Sequence, residues 1–246
     1  GLVHVTPLTS VVAELSKSTN AGSPITSANI GTAKTKISSI FNVDEDDINT
    51  NYITNENGGV AKQAIQIQTT LNVIKASIDD ELVTNDVILS KLVDTVSAAS
   101  SSTEFNLSDA SNVSSIIDTV SADTGVTVSA NAKENIANYA SNINNTIDTI
   151  EADQSISKVI SSAAQISIAS TSLIESAEDA PNFESDTTTF SSNISAVTQQ
   201  VQTNAAKLIV SNTNIIGGTF KFKLSGQKWS DVNHRLPIID LSLIHI

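Results

Sequence analysis

Three features of the sequence predict a mainly α-helical protein, an elongated antiparallel bundle of heptad-like helices with a short β element at the C-terminal end. Ile, Val, Leu and Ala recur at steps of three and four in nearly every segment up to about residue 210, the spacing of one helix face. Aromatic residues make up only 4% of the 246, and Met and Cys are both zero, so the core has to be aliphatic. The period changes to two after Gly217-Gly218, where Thr219-Phe220-Lys221-Phe222-Lys223-Leu224 alternates apolar and basic residues as a strand does.

The first helix is the best marked. Thr6 suits its cap, and Pro7 suits the first helical position, where a missing N–H is no loss. Leu8, Val11, Val12 and Leu15 then fall at i, i+3, i+4 and i+7. A cap contributes about 1 kcal/mol and each buried aliphatic side chain about 1.5–3 kcal/mol, so packing decides whether the helix forms and the cap sets where it begins. Thr19 to Pro24 reads as a polar connection, and Ser27 is the expected cap of a second helix with Ile30, Ala33, Ile37, Ile40 and Phe41 on one face. The run Asn42 to Tyr52, containing Asp44-Glu45-Asp46-Asp47, is expected to be an acidic loop. A longer helix opens near Asn57-Gly58-Gly59, and its Val60, Ala64, Ile67, Leu71, Ile74 and Ile78 alternate steps of four and three, the heptad rhythm.

Asn85 to Ala99 presents Ile88, Leu89, Leu92, Val93 and Val96 as another helix face, and Ser100-Ser101-Ser102-Thr103 breaks the pattern. Ser108 is the expected cap of a short helix carrying Val113, Ile116, Ile117 and Val120, and Gly125 marks the turn after it. From Ser129 the stripe runs through Ala132, Ile136, Tyr139, Ile143, Ile147 and Ile150, then resumes with Ile156, Val159, Ala163, Ile166, Leu173 and Ala177. One long helix, or two broken near Ala152-Asp153, both fit that spacing. Pro181 closes the region, and Phe190, Ile194, Val197, Val201 and Leu208 mark a last helix. The many Ser, Thr and Asn residues are poor helix formers, so these helices should be stable only when packed together.

The expected organisation is an N-terminal helical module with an acidic loop (1–80), a Ser/Asn-rich helical bundle (81–216), the start of a β-rich element (217–240) and a terminal segment 241–246. That segment, Leu241-Ser242-Leu243-Ile244-His245-Ile246, is one reading frame of CTGTCTCTTATACACATC, a transposon end used in sequencing libraries, and is expected to be translated adapter. Gly1 is not a start residue, and a lone strand rarely stands by itself. The chain is therefore expected to be an internal fragment, with a β-domain continuing after Gly218 and another preceding Val5.

The run Val5-Thr6-Pro7-Leu8-Thr9-Ser10-Val11-Val12 with its amphipathic helix, then Ile40-Phe41-Asn42-Val43 and an Asp-rich loop ending near Tyr52, resembles a module of very large bacterial surface and adhesin-like proteins. There a Thr-Pro-Leu-Thr-Thr-Leu-like motif follows a small β-domain and opens a helical region. The family's loop reads Asp-Leu-Thr, a hydrophobic or aromatic residue, then Asp-Pro. Asp47-Ile48-Asn49 follows that loosely, and no Asp-Pro follows Tyr52. The resemblance covers the first third of the chain. It implies an extracellular, non-catalytic setting and carries over no catalytic residue.

A net charge of −13 repels phosphate backbones and anionic lipid, so neither nucleic acid nor a membrane surface is an expected partner. No run approaches the ~18 apolar residues of a membrane span. The acidic run 44–47 lacks the alternating ligands, mid-loop Gly and distant Glu of an EF-hand and is expected to be solvated. Asn55-Glu56-Asn57-Gly58 reads as a turn rather than a ligand cluster. His4, His234 and His245 are far apart, with no His-Glu-x-x-His, no Gly-x-Ser-x-Gly, no phosphate-binding loop and no dinucleotide fingerprint. Asp79-Asp80-Glu81 sits between helices without an apolar pocket to raise a pKa. Asn106-Leu107-Ser108 would act as a glycosylation acceptor only in a glycosylating host. The expectation is therefore no catalytic residue, no cofactor and no metal site. The function expected is a non-catalytic spacer module of a large bacterial cell-surface or secreted adhesin-like protein, with neighbouring domains of the same chain as partners. The alternative is an oligomerising coiled-coil signalling or appendage (fibre) protein, since heptad stripes also drive homo-oligomers.

Overall fold

The computed structural model describes residues 5–20, 24–99, 105–152, 155–175 and 183. All lie in the first of the two units into which the chain divides, Gly1–Val210 and Ser211–Ile246. Among them are the helices α1 (Pro7–Ser18), α2 (Ser27–Phe41), α3 (Glu45–Ile48), α4 (Gly58–Ile78), α5 (Asn85–Ala98), α6 (Ala110–Thr124), α7 (Ala130–Asp148) and α8 (Ile156–Glu175). The protein is mainly helical, as its aliphatic periodicity predicts. The expected break at 100–103, the Pro181 stop, the helix at 190–208, the β element at 217–240 and the adapter segment 241–246 lie outside the described residues.

α1 forms as its sequence dictates. Thr6 Oγ1 accepts from the Thr9 N–H at 3.2 Å and Thr9 Oγ1 accepts from the Thr6 N–H at 2.7 Å, a reciprocal cap ahead of Pro7. Leu8, Val11, Val12 and Leu15 are all buried. The cap of α2 is Thr26 rather than Ser27: Thr26 is extended and makes the same reciprocal exchange with Asn29, which leaves Ser27 inside the first turn. Ala33, Ile37, Ile40 and Phe41 are buried, whereas Ile30 is 42% exposed. α2 packs chiefly on α1 and α3, and its first turns extend past that cover.

The acidic run is not a plain loop. Asp44 accepts from the Asp46 N–H at 3.0 Å and caps the single turn α3, whose first residues Glu45, Asp46 and Asp47 suit the positive end of a helix dipole. Ile48 is buried and ties this turn to the core. Asp46 itself is exposed, as expected of a solvated charge.

α4 is the helix around which the others collect. Asn57 caps it through the Val60 N–H at 3.0 Å, and α1, α5, α7 and α8 all pack against it. Val60, Ala64, Ile67, Leu71 and Ile74 are buried, and Ile78, at its open end, is partly so. In α5, Ile88, Leu92, Val93 and Val96 are buried and Leu89 is half-buried. α6 is capped by Asp109 through the Ser111 N–H at 2.8 Å, not by Ser108, whose hydroxyl turns to Asp148 instead. It ends at Gly125, whose φ of +74° is the left-handed conformation that glycine adopts freely.

The stripe from Ser129 divides into two helices. Ser129 caps α7 through the Ala132 N–H at 3.1 Å. α7 stops at Thr149, whose N–H turns back to the Asn145 and Thr146 carbonyls, and α8 starts at Ile156. Ile150 thus lies beyond the helix and is only partly buried. Tyr139 Oη donates to the Ser170 carbonyl at 2.8 Å, so α8 folds back antiparallel along α7. Phe183 stacks edge-on to Tyr139, with centroids 6.0 Å apart, and its carbonyl accepts from Asn135 Nδ2 at 2.7 Å. No helix among the described residues is long and apolar enough to cross a membrane.

Candidate functional site

Where α4 meets α7 and α8, the core carries an unusual amount of polarity for so aliphatic a chain. Gln66, Thr69 and Thr70 of α4, Asn135, Ser141 and Asn144 of α7, and Ser167 and Ser170 of α8 are all buried. A buried polar group without a partner costs roughly 1–3 kcal/mol, so the partners of these groups decide what the region does.

Most of them are one another. Gln66 Nε2 donates to the Asn144 carbonyl at 3.0 Å and to Asp148 Oδ1 at 2.8 Å, while Ser108 Oγ donates to Asp148 Oδ2 at 2.6 Å. Asn144 Nδ2 donates to Thr70 Oγ1 and to the Leu107 carbonyl, both at 2.9 Å, and Thr70 Oγ1 donates to the Gln66 carbonyl at 2.9 Å. Thr69 Oγ1 and Ser167 Oγ share a hydrogen bond at 2.8 Å. Asn144 Oδ1 and Ser170 Oγ are buried without a hydrogen-bond partner. Since Lys62, Gln66 and Thr70 meet Asp148 and Asn144 in reverse order, α4 and α7 run antiparallel; Gly58 against Ala152 and Thr69 against Ser167 make α4 and α8 parallel.

At the N-terminal end of α4 this seam opens into a polar cleft of about 280 Å³, lined by Asn42, Asp44, Asn57, Lys62, Asp148 and Ala152 among others. Lys62 Nζ donates to the carbonyls of Asp148 at 3.3 Å and Ile150 at 2.9 Å, where a cation suits the negative end of α7. Asn57 Nδ2 donates to Asp47, which joins α3 to the start of α4. Gly58 lies so close to the α7–α8 turn that a Cβ would stand 2.6 Å from the Ala152 carbonyl oxygen. Lys62, Asp148 and Asn57 are thus each engaged in holding one element to another, and Asp44 in capping α3.

The residues weighed from sequence as chemical candidates are not brought together. The acidic run 44–47 builds α3 and its tie to Asn57. Glu56 adopts a positive φ of 52° in the turn before α4, and Asn57 caps that helix. Asp79 closes α4 in a left-handed conformation, and Asp80 Oδ1 accepts from the Leu82 N–H at 2.8 Å. Asn106 is exposed, its Oδ1 accepting from the Ser108 N–H at 2.8 Å. His4, His234 and His245 lie outside the described residues. Among the described residues, no three His, Cys, Asp or Glu side chains gather as metal ligands would. The tyrosines are held neutral: burial pushes the Tyr139 hydroxyl far above its ordinary value, and the Tyr52 hydroxyl is raised by the same cause. Tyr139 is accordingly a hydrogen-bond donor rather than a nucleophile.

Sequence reasoning followed the aliphatic stripes and passed over the polar seam. The signal was present in α4, where Lys62, Gln66 and Thr70 stand at steps of four beside the apolar stripe, and in α7, where Asn144 and Asp148 do the same. The fold and this seam define a mainly helical protein whose central helix is fixed to its neighbours by directed hydrogen bonds as well as apolar packing. No protein-family model, curated protein or solved structure matches the chain.

Proposed function

We propose that the chain is a non-catalytic helical spacer module of a large bacterial cell-surface or secreted adhesin-like protein. The observation that carries this reading is the enclosure of the heptad stripe of α4 by α1, α5, α7 and α8 of the same chain, which leaves that stripe no free face for a partner. The motif at Thr6-Pro7-Leu8-Thr9, which opens α1 with a reciprocal cap, supports the surface-protein setting by resemblance. The acidic surface supports a soluble spacer between neighbouring domains of one long chain. The reading includes a β-rich element from residue 217, which lies outside the described residues.

The alternative, an oligomerising coiled-coil signalling or appendage protein, draws on one observation. Ile30 in the first turn of α2 and Ile168 on α8 are exposed apolar side chains on helices with apolar stripes. Sedimentation equilibrium of the full chain over a hundredfold concentration range separates the two. The spacer reading expects a single monomer mass throughout, and a dimer or trimer that grows with concentration would replace it by the alternative.

A further inference from the structure

A chain without sulfur has its chemical weak point elsewhere. With no Cys and no Met, the oxidation of sulfur that ages many proteins has no target here. Asparagine amides are the other thermolabile groups, and their lifetime depends on the residue that follows. Glycine shortens it most, because no Cβ shields its backbone nitrogen or restricts the rotation that brings it to the amide. Asn57-Gly58 is the only Asn-Gly in the 246 residues.

The reaction needs no partner but water. The Gly58 nitrogen gives up its proton and attacks Asn57 Cγ, closing a five-membered imide ring. The Cγ–Nδ2 bond breaks, and Nδ2 leaves as ammonia with the proton that Gly58 released. Water then opens the ring at one of its two carbonyls and leaves aspartate or isoaspartate at position 57.

The fold stands in the way of the first step. Asn57 Oδ1 accepts from the Val60 N–H at 3.0 Å and Nδ2 donates to Asp47, so the amide is held at both ends. The Asn57 N–H donates to the Tyr52 carbonyl at 2.9 Å, and the Asn57 carbonyl accepts from the Ala61 N–H at 3.1 Å. Gly58 is buried against Ala152. Swinging Cγ onto the Gly58 nitrogen must therefore break both side-chain bonds and turn a peptide plane out of the start of α4. The products cannot restore what was broken. An oxygen in place of Nδ2 has no proton for Asp47 and sets two carboxylates against each other. Isoaspartate also adds a methylene to the main chain beside Gly58, where even a Cβ would stand 2.6 Å from the Ala152 carbonyl oxygen.

We propose that Asn57-Gly58 is this chain's site of spontaneous deamidation, held off by the contact of α3 with the start of α4 and destroying that contact once it occurs. Each opening of the contact is an occasion to react, so conversion accumulates as a record of how often this end of α4 has opened. The site rests on the α3–α4 geometry and stands whether or not the module is a surface spacer.

The unmodified full chain, held at mildly alkaline pH either folded in buffer or unfolded in guanidinium chloride, supplies the test. Peptide mass mapping follows every asparagine with time. In the unfolded chain position 57 is expected to convert before any other. In the folded chain it should convert more slowly by roughly tenfold or more, the combined strength of its two side-chain hydrogen bonds. Asp47→Ala removes the acceptor of Nδ2 and should bring the folded rate toward the unfolded one, whereas Asp46→Asn, at an exposed position beside it, should leave the rate unchanged. Asn57→Asp carries one product from the start and should lower the thermal midpoint, and adding Asp47→Asn returns a donor to the pair and should recover it. Equal rates in the folded and unfolded chain, or earlier conversion of another asparagine in the unfolded one, would overturn the site, and neither reading depends on a variant. A midpoint unmoved by Asn57→Asp, or one that Asp47→Asn does not recover, would overturn the loss of the contact.

Discussion

Helices α2 and α4 are built from a similar alphabet of Ile, Ala, Thr, Ser and Lys, and each is opened by a side-chain cap, yet they live differently. Eleven of the 21 residues of α4 are buried, on more than one face, and three of those eleven are Gln66, Thr69 and Thr70. Only four of the 15 residues of α2 are buried, all on its C-terminal half or next to it, while Ile30 stays exposed. The difference comes from neighbours rather than from propensity. α4 is enclosed by four helices, whereas α2 rests chiefly on α1 and α3. Helix propensity is a weak term beside packing, so the same residues give a core element in one place and a peripheral one in the other.

The sharpest way to break that comparison is a charge in each helix. Leu71→Asp places a carboxylate in the enclosed stripe of α4 and is expected to lower stability by about 4 kcal/mol, combining lost apolar burial with an unpaired buried charge. Ile30→Asp, at a site already 42% open to solvent, should cost under about 1 kcal/mol. Urea unfolding midpoints of the two variants check this directly. Equal shifts would mean that α4 is no more enclosed than α2.

Two glycines sharpen it. Gly58→Ala at the start of α4 drives a methyl to 2.6 Å from the Ala152 carbonyl oxygen, a backbone atom that cannot swing aside, and should cost about 1–3 kcal/mol. Gly31→Ala inside α2 meets nothing within 4 Å and should raise stability by about 0.5–1 kcal/mol, because alanine loses less chain entropy in a helix. The opposite signs are read from thermal midpoints. A neutral Gly58→Ala would show that the α7–α8 turn yields to α4.

Periodicity made the helices legible: α1, α4, α5 and α6 fall within a residue or two of what the aliphatic spacing allows, whereas the spacing fitted one helix or two after Ser129 and the turn at Thr149 decides for two. The caps of α2 and α6 each differ by one residue from the sequence reading, because Thr26 and Ser27, or Ser108 and Asp109, are equally good caps until the turn geometry chooses. α3 was hidden because four acidic residues look like a solvated loop, and only the burial of Ile48 makes the turn worth forming. The seam was hidden for a different reason. Gln66 and Asn144 have the same one-letter appearance as the many exposed polar residues around them, and only the crossing of α4 with α7 tells which are buried. Side-chain partners across sequence separations of 74 and 78 residues cannot be read from local pattern.

The chain's two tyrosines serve as pH-dependent reporters of the two regions. Tyr139 is enclosed between α7 and α8, and Tyr52 is half-buried in the turn before α4. Burial disfavours the phenolate in both and raises both above the ordinary value of 10.0, Tyr139 by much the more. The folded chain therefore keeps its tyrosine protons at pH values where the unfolded chain releases them. The stability this represents is fully present below pH 10 and is lost as pH rises above it. For Tyr139 the loss should reach about 1.4 kcal/mol by pH 11, the equivalent of one unit of displacement. Tyr139→Phe should abolish that part of the alkaline slope, while Tyr52→Phe should remove a smaller part. Tyr139→Phe also deletes the hydrogen bond to the Ser170 carbonyl, which lowers stability at every pH but does not change the slope. Urea unfolding between pH 8 and 11, with absorbance at 295 nm following phenolate formation, separates the two contributions. An unchanged slope in Tyr139→Phe would place that hydroxyl in contact with solvent and remove α7–α8 from the enclosed side of the comparison.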